Sequence, residues 1–228
     1  MIYGKQTPAL ADDLGITIEE AQERVDKFFE TKPNVEKFIN DTHAFVEENG
    51  YVTTLNGFRR NLTGIVSSDY GTRSKALRQS VNTIIQGSGA ILTNTSLIIL
   101  NKALKQLHLR SVIAATVHDS ILMDCPEDEI PKVAKLALGI MTNLPYSWLM
   151  YNHNGKKERY PIEAEVDIGA NYNDEVDYDP ELINQLGYDK YLEYKIKLKR
   201  ISDAEESEVL TKEQRAFLEK KVTAEYLK

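Results

Sequence analysis

Two apolar runs with a polar pair between them constrain the fold of this chain more than any other feature of its sequence. Residues 111–117 read Ser-Val-Ile-Ala-Ala-Thr-Val, residues 120–125 read Ser-Ile-Leu-Met-Asp-Cys, and His118 and Asp119 separate them. Apolar, β-branched runs joined by two polar residues are typical of antiparallel strands with a tight turn. The pattern therefore predicts a buried β-hairpin with His118 and Asp119 at its turn.

A carboxylate at the turn of a buried hairpin is costly to bury unless a cation neutralises it. Asp119 is therefore a candidate ligand of a divalent metal ion. Metal-assisted phosphoryl transfer uses carboxylates to hold two ions about 3.5–4 Å apart. One Asp cannot hold both ions, so a second carboxylate has to come from elsewhere. The alternative is a surface Asp that only forms the turn, which is a common role for this residue.

Polar side chains recur every four residues in the longest predicted helix, which covers about residues 72–107. Arg78, Asn82 and Gln86 fall on one face of this helix, one turn apart. Arginine pairs with phosphates, while asparagine and glutamine can hydrogen-bond base edges or sugars. The face is a candidate nucleic-acid surface, and the alternative is a solvent-facing polar stripe.

The distribution of charge agrees with an anionic partner near this helix. The whole chain has a formal net charge of −7, from 28 Lys and Arg and 35 Asp and Glu. Residues 50–110 nevertheless contain eight basic side chains and a single acid, Asp69. A basic middle between acidic flanks is typical of a local nucleic-acid surface, or of a solvated charged face.

The cysteine count and the apolar runs limit the compartment. Cys125 is the single cysteine, so neither an intrachain disulfide nor a cysteine-based zinc site can form, and a reducing, cytoplasmic compartment is expected. The most apolar stretch, residues 91–100, is interrupted by four polar residues. No run reaches the roughly 18–20 residues of a membrane helix, so the sequence predicts no membrane partner.

Other patterns predict a helical chain with short strands. Residues 12–50 read as two helices, and Asn56-Gly57 predicts a hairpin within residues 51–62. Alternating apolar residues predict a strand over residues 160–168, whereas residues 152–159 read as a polar loop.

Two further features lie within and beyond this region. Gly87 and Gly89 indicate that another group closely approaches the backbone of the long helix. Beyond residue 173 the sequence becomes highly charged and predicts one or two helices, with Tyr191 and Tyr194 on a shared apolar face.

A set of motifs, in order and spacing, resembles the C-terminal part of the family A DNA polymerases, the DNA polymerase I type. The set comprises Tyr3-Gly4, the helix at 17–33, the segment 50–60, the segment 78–87, Val117-His118-Asp119 and the segment 163–169. The resemblance covers about residues 3–172. The single motifs are weak or moderate signals, and their ordered combination is specific.

The resemblance implies an α+β fold that is part of a right-hand polymerase. Residues 1–68 would form the remainder of the fingers. Residues 69–172 would form the palm, with an antiparallel sheet that carries the Val-His-Asp hairpin. Residues 173–228 would be a helical C-terminal extension, which the family usually lacks.

The resemblance also implies roles for single residues. Asp119 would be a catalytic Mg²⁺ ligand, and His118 would be a catalytic-site residue that contacts the primer end. Tyr3 and Gly4 would belong to the nucleotide and template site. The other implied DNA contacts are Arg60, Arg78, Asn82 and Gln86. Ser120 stands where the family usually has Glu, so any auxiliary metal role of that acid is either lost or supplied by another group.

The family motifs that carry the first catalytic aspartate and the triphosphate-binding Arg and Lys lie upstream of Tyr3. The resemblance thus implies two Mg²⁺ ions shared with an aspartate outside this chain. We expect a DNA-directed DNA polymerase, acting on primer–template DNA and dNTPs in a bacterial or phage-infected cytoplasm. It would need an N-terminal polypeptide and be inactive alone. Either the gene is split at this point, as in a phage, or the sequence is truncated. The alternative is a non-catalytic fragment that binds DNA or a partner.

Overall fold

A computed structural model describes residues 7–227, and within that range it contains eight α-helices and four antiparallel two-stranded sheets. The fold is therefore α+β and mainly helical. The chain divides into two compact units. Unit 1 comprises residues 7–95 together with the turn 117–120, and unit 2 comprises residues 96–116 and 121–227. The predicted fingers–palm boundary at residue 68 falls inside unit 1, and the assignment of fingers and palm stays a prediction.

Unit 1 begins with three helices, which confirm the helical prediction for residues 12–50. Glu20 donates its backbone N–H to Thr17 Oγ1 at 3.2 Å, and Thr17 donates its own N–H to Glu20 Oε2 at 3.0 Å, so the second helix begins with a capping box. Gly50 ends the third helix in the left-handed conformation, with φ 72°. The helices are α1 (Thr7–Leu14), α2 (Ile18–Thr31) and α3 (Pro33–Asn49).

The predicted hairpin at residues 51–62 forms from strands β1 (Tyr51–Thr53) and β2 (Arg59–Asn61). It packs against the long helix α4 (Tyr70–Gln106), which begins in unit 1 and ends in unit 2. The core of unit 1 joins α3, the hairpin and α4 through buried apolar side chains. These are Val46, Val52, Leu62, Ile65 and Ala76.

By length and composition alone, α4 could cross a membrane, because it contains an 18-residue stretch with a mean hydropathy of 1.3. The sequence-based expectation that no segment qualifies was therefore wrong. Its side chains nevertheless enter two protein cores, with Ala76 in the core of unit 1 and Leu100 and Leu104 in a core of unit 2. Length and composition alone are weak evidence for a membrane span, and these contacts tie both parts of the helix to protein cores.

The predicted hairpin around His118-Asp119 forms from β3 (Val112–Val117) and β4 (Ser120–Asp124). One face of it, with Ile113, Ile121 and Met123, packs on α4 and on helix α5 (Ile130–Thr142). The expectation that the hairpin is buried was wrong, because most of β3 is exposed, and Val112 is 54% exposed. The exposed side chains of β3 leave the other face open, and within residues 7–227 no third strand pairs with either edge of the sheet.

Residues 152–159, which read as a polar loop, instead belong to a second hairpin. Strands β5 (Met150–His153) and β6 (Lys156–Arg159) pair along their whole length. Asn154 and Gly155 connect them, both with positive φ values of 49° and 76°. Two left-handed residues with the sequence Asn-Gly are the signature of a type I′ turn.

The strand predicted over residues 160–168 is much shorter in the structure. Asp167–Ile168 forms β7, which pairs with β8 (Val176–Asp177), while residues 161–166 lie outside any strand. Their exposure still alternates between half-buried and exposed, as the sequence pattern predicts. This segment therefore has the alternating side chains of a strand, but no other strand among the described residues pairs with it.

The C-terminal extension is helical, as its sequence pattern predicts, and after β8 it contains three helices where one or two were expected. These are α6 (Pro180–Leu186), α7 (Tyr188–Glu206) and α8 (Lys212–Tyr226). Tyr191 and Tyr194 of α7 are buried, which confirms their shared apolar face. Tyr191 donates its hydroxyl hydrogen to the carbonyl of Asp177 and packs with Val176 and Ile168. The extension therefore shares a core with the polymerase-like part of the chain.

The prediction of a close approach at Gly87 is confirmed, whereas the one at Gly89 was wrong. A Cβ at Gly87 would lie 2.8 Å from the Cγ2 of Thr54, and a Cβ at Gly89 would meet nothing within 4 Å. Thr54 cannot easily turn away, because its hydroxyl donates to Asn56 Oδ1 at 2.6 Å and accepts the N–H of Phe58 at 3.1 Å.

We predict opposite effects of alanine at these two glycines. Gly87→Ala should lower the free energy of unfolding by about 1–3 kcal/mol, because the added methyl overpacks the contact with Thr54. Gly89→Ala should raise it by up to about 1 kcal/mol, because alanine is the better helix former. Urea denaturation of both variants measures the two effects, and equal changes would contradict the close packing of the hairpin on α4.

The two residues just before β3 are fixed by the carboxylate of Glu129, which lies just before α5 and is 8% exposed. Glu129 Oε1 accepts the N–H of Arg110 at 2.9 Å, and Oε2 accepts the N–H and the hydroxyl of Ser111 at 2.9 Å and 2.6 Å. These hydrogen bonds, together with the Arg110 guanidinium, lower the pKa of Glu129 from 4.5 to about 2.

Because the folded-state pKa is depressed, Glu129 stabilises the fold above about pH 4.5, and this contribution is lost as the pH falls towards 2. We predict that Glu129→Gln lowers the thermal midpoint at pH 7 and flattens the loss of stability between pH 4.5 and pH 2. Thermal melts across this pH range measure both effects. The control is Asp128→Asn, which removes an exposed partner of the same Arg110 and should change much less. Parallel pH profiles for parent and Glu129→Gln would refute this role.

Candidate metal and nucleic-acid site

Asp119 lies at the two-residue turn between β3 and β4, beside His118, whose φ is 55°. Both side chains are exposed, so the expectation of a buried charge was wrong. Among residues 7–227 the Asp119 carboxylate accepts no hydrogen bond and pairs with no basic side chain. An exposed carboxylate without a partner in this range is available to a ligand from outside.

The residue after Asp119 has a structural use. Ser120 donates its hydroxyl hydrogen to the carbonyl of Val117 at 2.8 Å, which closes the turn. Within the described part of the chain, no group of three or more His, Cys, Asp or Glu side chains is placed to hold a metal ion. Asp119 therefore fits a divalent cation as one ligand of a set, and the other ligands would have to come from elsewhere.

The Arg78, Asn82 and Gln86 face of α4 lies in unit 1, the same unit as the turn 117–120. Arg78 is half-buried and its Nη1 donates to the hydroxyl of Ser74, one turn earlier, at 2.8 Å. Gln86 is exposed. The guanidinium is thus held along the helix, and the amide of Gln86 faces solvent.

Asn82 carries an unpaired polar atom. Its Oδ1 is buried and has no hydrogen-bond partner among the described residues. A buried acceptor without a partner costs about 1–3 kcal/mol, and such groups in native structures are uncommon enough to need a reason. A ligand that donates a hydrogen bond to this Oδ1 would remove that cost.

Arg60 is connected to α4, although 18 residues separate it from Arg78 in the sequence. Its Nη1 donates to Thr83 Oγ1 at 2.9 Å, and Thr83 in turn donates to the carbonyl of Gln79 at 2.6 Å. Sequence reasoning missed Thr83, which follows Asn82 and sets the position of Arg60. The sequence shows only that Thr83 carries a hydroxyl next to Asn82 of the polar face.

The structure therefore brings Arg60 to the helix that carries Arg78, Asn82 and Gln86. It places the His118-Asp119 turn in the same compact unit. Tyr3 and Gly4, the expected nucleotide and template residues, lie outside the described residues.

The chain is similar to known polymerases over most of its length. A DNA polymerase of Bacillus phage SP01 is 40% identical over 211 residues, which is 90% of this chain and 22% of the phage protein. DNA polymerase I of Bacillus caldotenax is 34% identical over 141 residues, 62% of this chain and 16% of that protein. The chain thus spans about a fifth of the length of these curated relatives.

A solved structure agrees with these sequence relatives. The POL domain of Pol1 from M. smegmatis, in complex with DNA primer-template and dNTP, superposes with a TM-score of 0.59 and 32% sequence identity. The similarity covers 62% of this chain and 25% of that chain.

The family assignment rests on a direct match. The model of DNA polymerase family A matches residues 1–174. The similarity to the phage polymerase covers 90% of this chain, which is more than residues 1–174 contain. It therefore continues into the C-terminal extension. The ordered motifs, the solved polymerase domain and the family match agree, and the chain belongs to DNA polymerase family A.

Proposed function

We propose that this chain supplies part of the active site of a DNA-directed DNA polymerase, in which Asp119 is one ligand of two Mg²⁺ ions. The unpaired, exposed carboxylate of Asp119, in the same compact unit as the polar face of α4, is the observation that carries the proposal. When bound, the two ions would stabilise charge on the attacking and leaving oxygens of the phosphoryl group. The substrates are primer–template DNA and dNTPs, and the reaction takes place in the cytoplasm of a bacterium or phage-infected cell.

The side chains of α4 and β2 bind and orient DNA in this proposal. Arg78 and Arg60 place positive charge where phosphates would lie, and both are held by hydroxyls on α4. Asn82 and Gln86 offer amides to base edges or sugars, and the unpaired Oδ1 of Asn82 supports such a use. His118, beside Asp119, contacts the primer end, and Tyr3 with Gly4 contributes to the nucleotide and template site.

A second polypeptide completes the site. A single carboxylate cannot hold two ions, so the other aspartate and the triphosphate-binding groups come from an N-terminal polypeptide. Two open features of unit 2 support such a partner. Most of β3 is exposed, and residues 161–166 have strand-like alternation without a ladder. The outer edge of β3 has no strand partner among the described residues, and such an edge is suited to pairing with a strand from another chain.

A non-catalytic fragment that binds DNA or a partner is the second candidate. The observation in its favour is that residues 7–227 contain no cluster of three or more candidate metal ligands. The two candidates make different predictions for nucleotide incorporation once the upstream polypeptide is supplied.

We predict that the 228-residue chain alone does not extend a primer, and that it does so when mixed with the upstream polypeptide of a family A polymerase. Asp119→Asn should then reduce the rate at least about 100-fold, because it removes an electrostatic stabiliser of the transition state. The matched control is Asp124→Asn, an exposed aspartate in the same hairpin, which should leave the rate unchanged. Gel-based primer extension measures all three.

Three outcomes would count against the proposal. Template-directed incorporation by the purified chain alone would show that no second polypeptide is needed. Equal rates for Asp119→Asn and Asp124→Asn in the reconstituted enzyme would leave Asp119 as a turn residue. DNA binding without incorporation under every condition would favour the non-catalytic fragment.

A further inference from the structure

The hairpin of β5 and β6 presents one face that the polymerase site does not use. In its register Tyr151 pairs with Glu158 and His153 pairs with Lys156. Side chains alternate along a strand, so these four share a face. Tyr160, two residues after Glu158, continues the same face and donates its N–H to the carbonyl of Leu149 at 2.7 Å.

Three aromatic rings form a row on this face. The ring centroids of Tyr151 and Tyr160 are 6.2 Å apart, and those of Tyr151 and His153 are 6.4 Å apart with an interplanar angle of 28°. All three residues are exposed, and Tyr160 is 63% exposed. Aromatic side chains usually bury most of their surface, so a solvent-facing row of three needs a reason.

The hairpin is positively charged within an acidic chain. Lys156, Lys157 and Arg159 are opposed by the single acid Glu158 between Met150 and Tyr160, whereas the whole chain has a net charge of −7. Lys156 lies on the face of the rings, and Lys157 and Arg159 lie on the opposite face of the hairpin. Glu158 is itself engaged by the face, since it accepts the hydroxyl of Tyr151 at 3.1 Å and lies 3.4 Å from Nδ1 of His153.

The base of the hairpin is firmly attached to unit 2. Arg159 Nη1 donates to the carbonyl of Leu144 at 2.6 Å, and Leu149 is buried. Tyr146 stacks on Trp148 with centroids 5.1 Å apart. Together with the type I′ turn, these contacts present the row of rings as a preformed platform, and a preformed site loses less entropy on binding.

We propose that this face, formed by Tyr151, His153, Lys156 and Tyr160, binds single-stranded nucleic acid, with bases stacked on the rings and the backbone near Lys156. Aromatic platforms flanked by basic residues are the usual design for such ligands, because every base has a π-face and every linkage a negative charge. A duplex fits poorly, because its bases already stack on one another. The inference uses neither Asp119 nor α4, so it does not rest on the proposed polymerase site.

The test measures binding of a fluorescein-labelled oligo-dT of about 12 nucleotides, within the usual site sizes, to the full 228-residue chain by fluorescence anisotropy. Tyr160→Ala should weaken binding about tenfold or more, as loss of one stacked base predicts. The matched control is Tyr172→Ala, a tyrosine of similar exposure outside the hairpin, which should bind like the parent.

Charge variants distinguish binding at the hairpin from non-specific electrostatic attraction of nucleic acid to the protein. The double variant Lys156→Glu/Lys157→Glu should weaken binding and reduce its salt dependence more than Lys220→Glu/Lys221→Glu, the same change at an exposed pair on α8. Glu158→Gln should strengthen binding, because it removes the single acid of the hairpin. The emission of Trp148, the single tryptophan of the chain, reports whether each variant is folded.

Equal affinity of Tyr160→Ala and Tyr172→Ala would overturn the proposal, and so would equal losses for the two lysine pairs. Preferential binding of a DNA duplex through the hairpin would also overturn it. Duplex affinity that survives all hairpin changes belongs to another surface. Failure of this proposal is therefore distinguishable from failure of the polymerase assignment, which primer extension tests.

Discussion

The position of the candidate site depends on the hydrogen bonds that the carboxylate of Glu129 accepts. It accepts hydrogen bonds from Arg110 and Ser111, the residues that lead into β3, and it lies where a short helical turn meets α5. The β3–β4 hairpin therefore starts from a fixed point, packs one face on Leu100, Leu104 and α5, and presents its turn with Asp119 to solvent. Because one face of this two-stranded sheet is open, the hairpin combines a rigid base with an accessible carboxylate.

Local turn chemistry made much of the fold predictable. The Thr17–Glu20 capping box, Gly50 and the hairpin at residues 51–62 follow from side-chain hydrogen bonds and positive φ values that few residues satisfy. The rule that identified Asn56-Gly57 also applies to Asn154-Gly155, where polar flanking residues concealed a real hairpin. The predicted strand at 160–168 shows the opposite case, since alternation fixes which side chains are buried, whereas a ladder needs a partner that no local pattern supplies.

The sequence predicted which residues belong to the candidate site better than it predicted their hydrogen bonds and burial. Four-residue spacing placed Arg78, Asn82 and Gln86 on one face of α4, but it could not show that Thr83 holds Arg60 on the same helix, because that hydrogen bond joins segments 23 residues apart. The burial expected for Asp119 was wrong, because apolar strands are buried on both faces only where something covers each face. Family membership came from the order of the motifs, which composition and charge alone could not supply.

We propose that Asp119 holds a metal ion only as part of a larger assembly, and electron paramagnetic resonance of Mn²⁺ can test this directly. Mn²⁺ would be titrated into this chain alone, and into its complex with an upstream family A polypeptide, primer–template DNA and a non-hydrolysable dNTP. We expect tight Mn²⁺ binding only in the complex, and we expect Asp119→Asn to weaken it and Asp124→Asn to leave it unchanged. Tight Mn²⁺ binding that survives Asp119→Asn in the complex would contradict it.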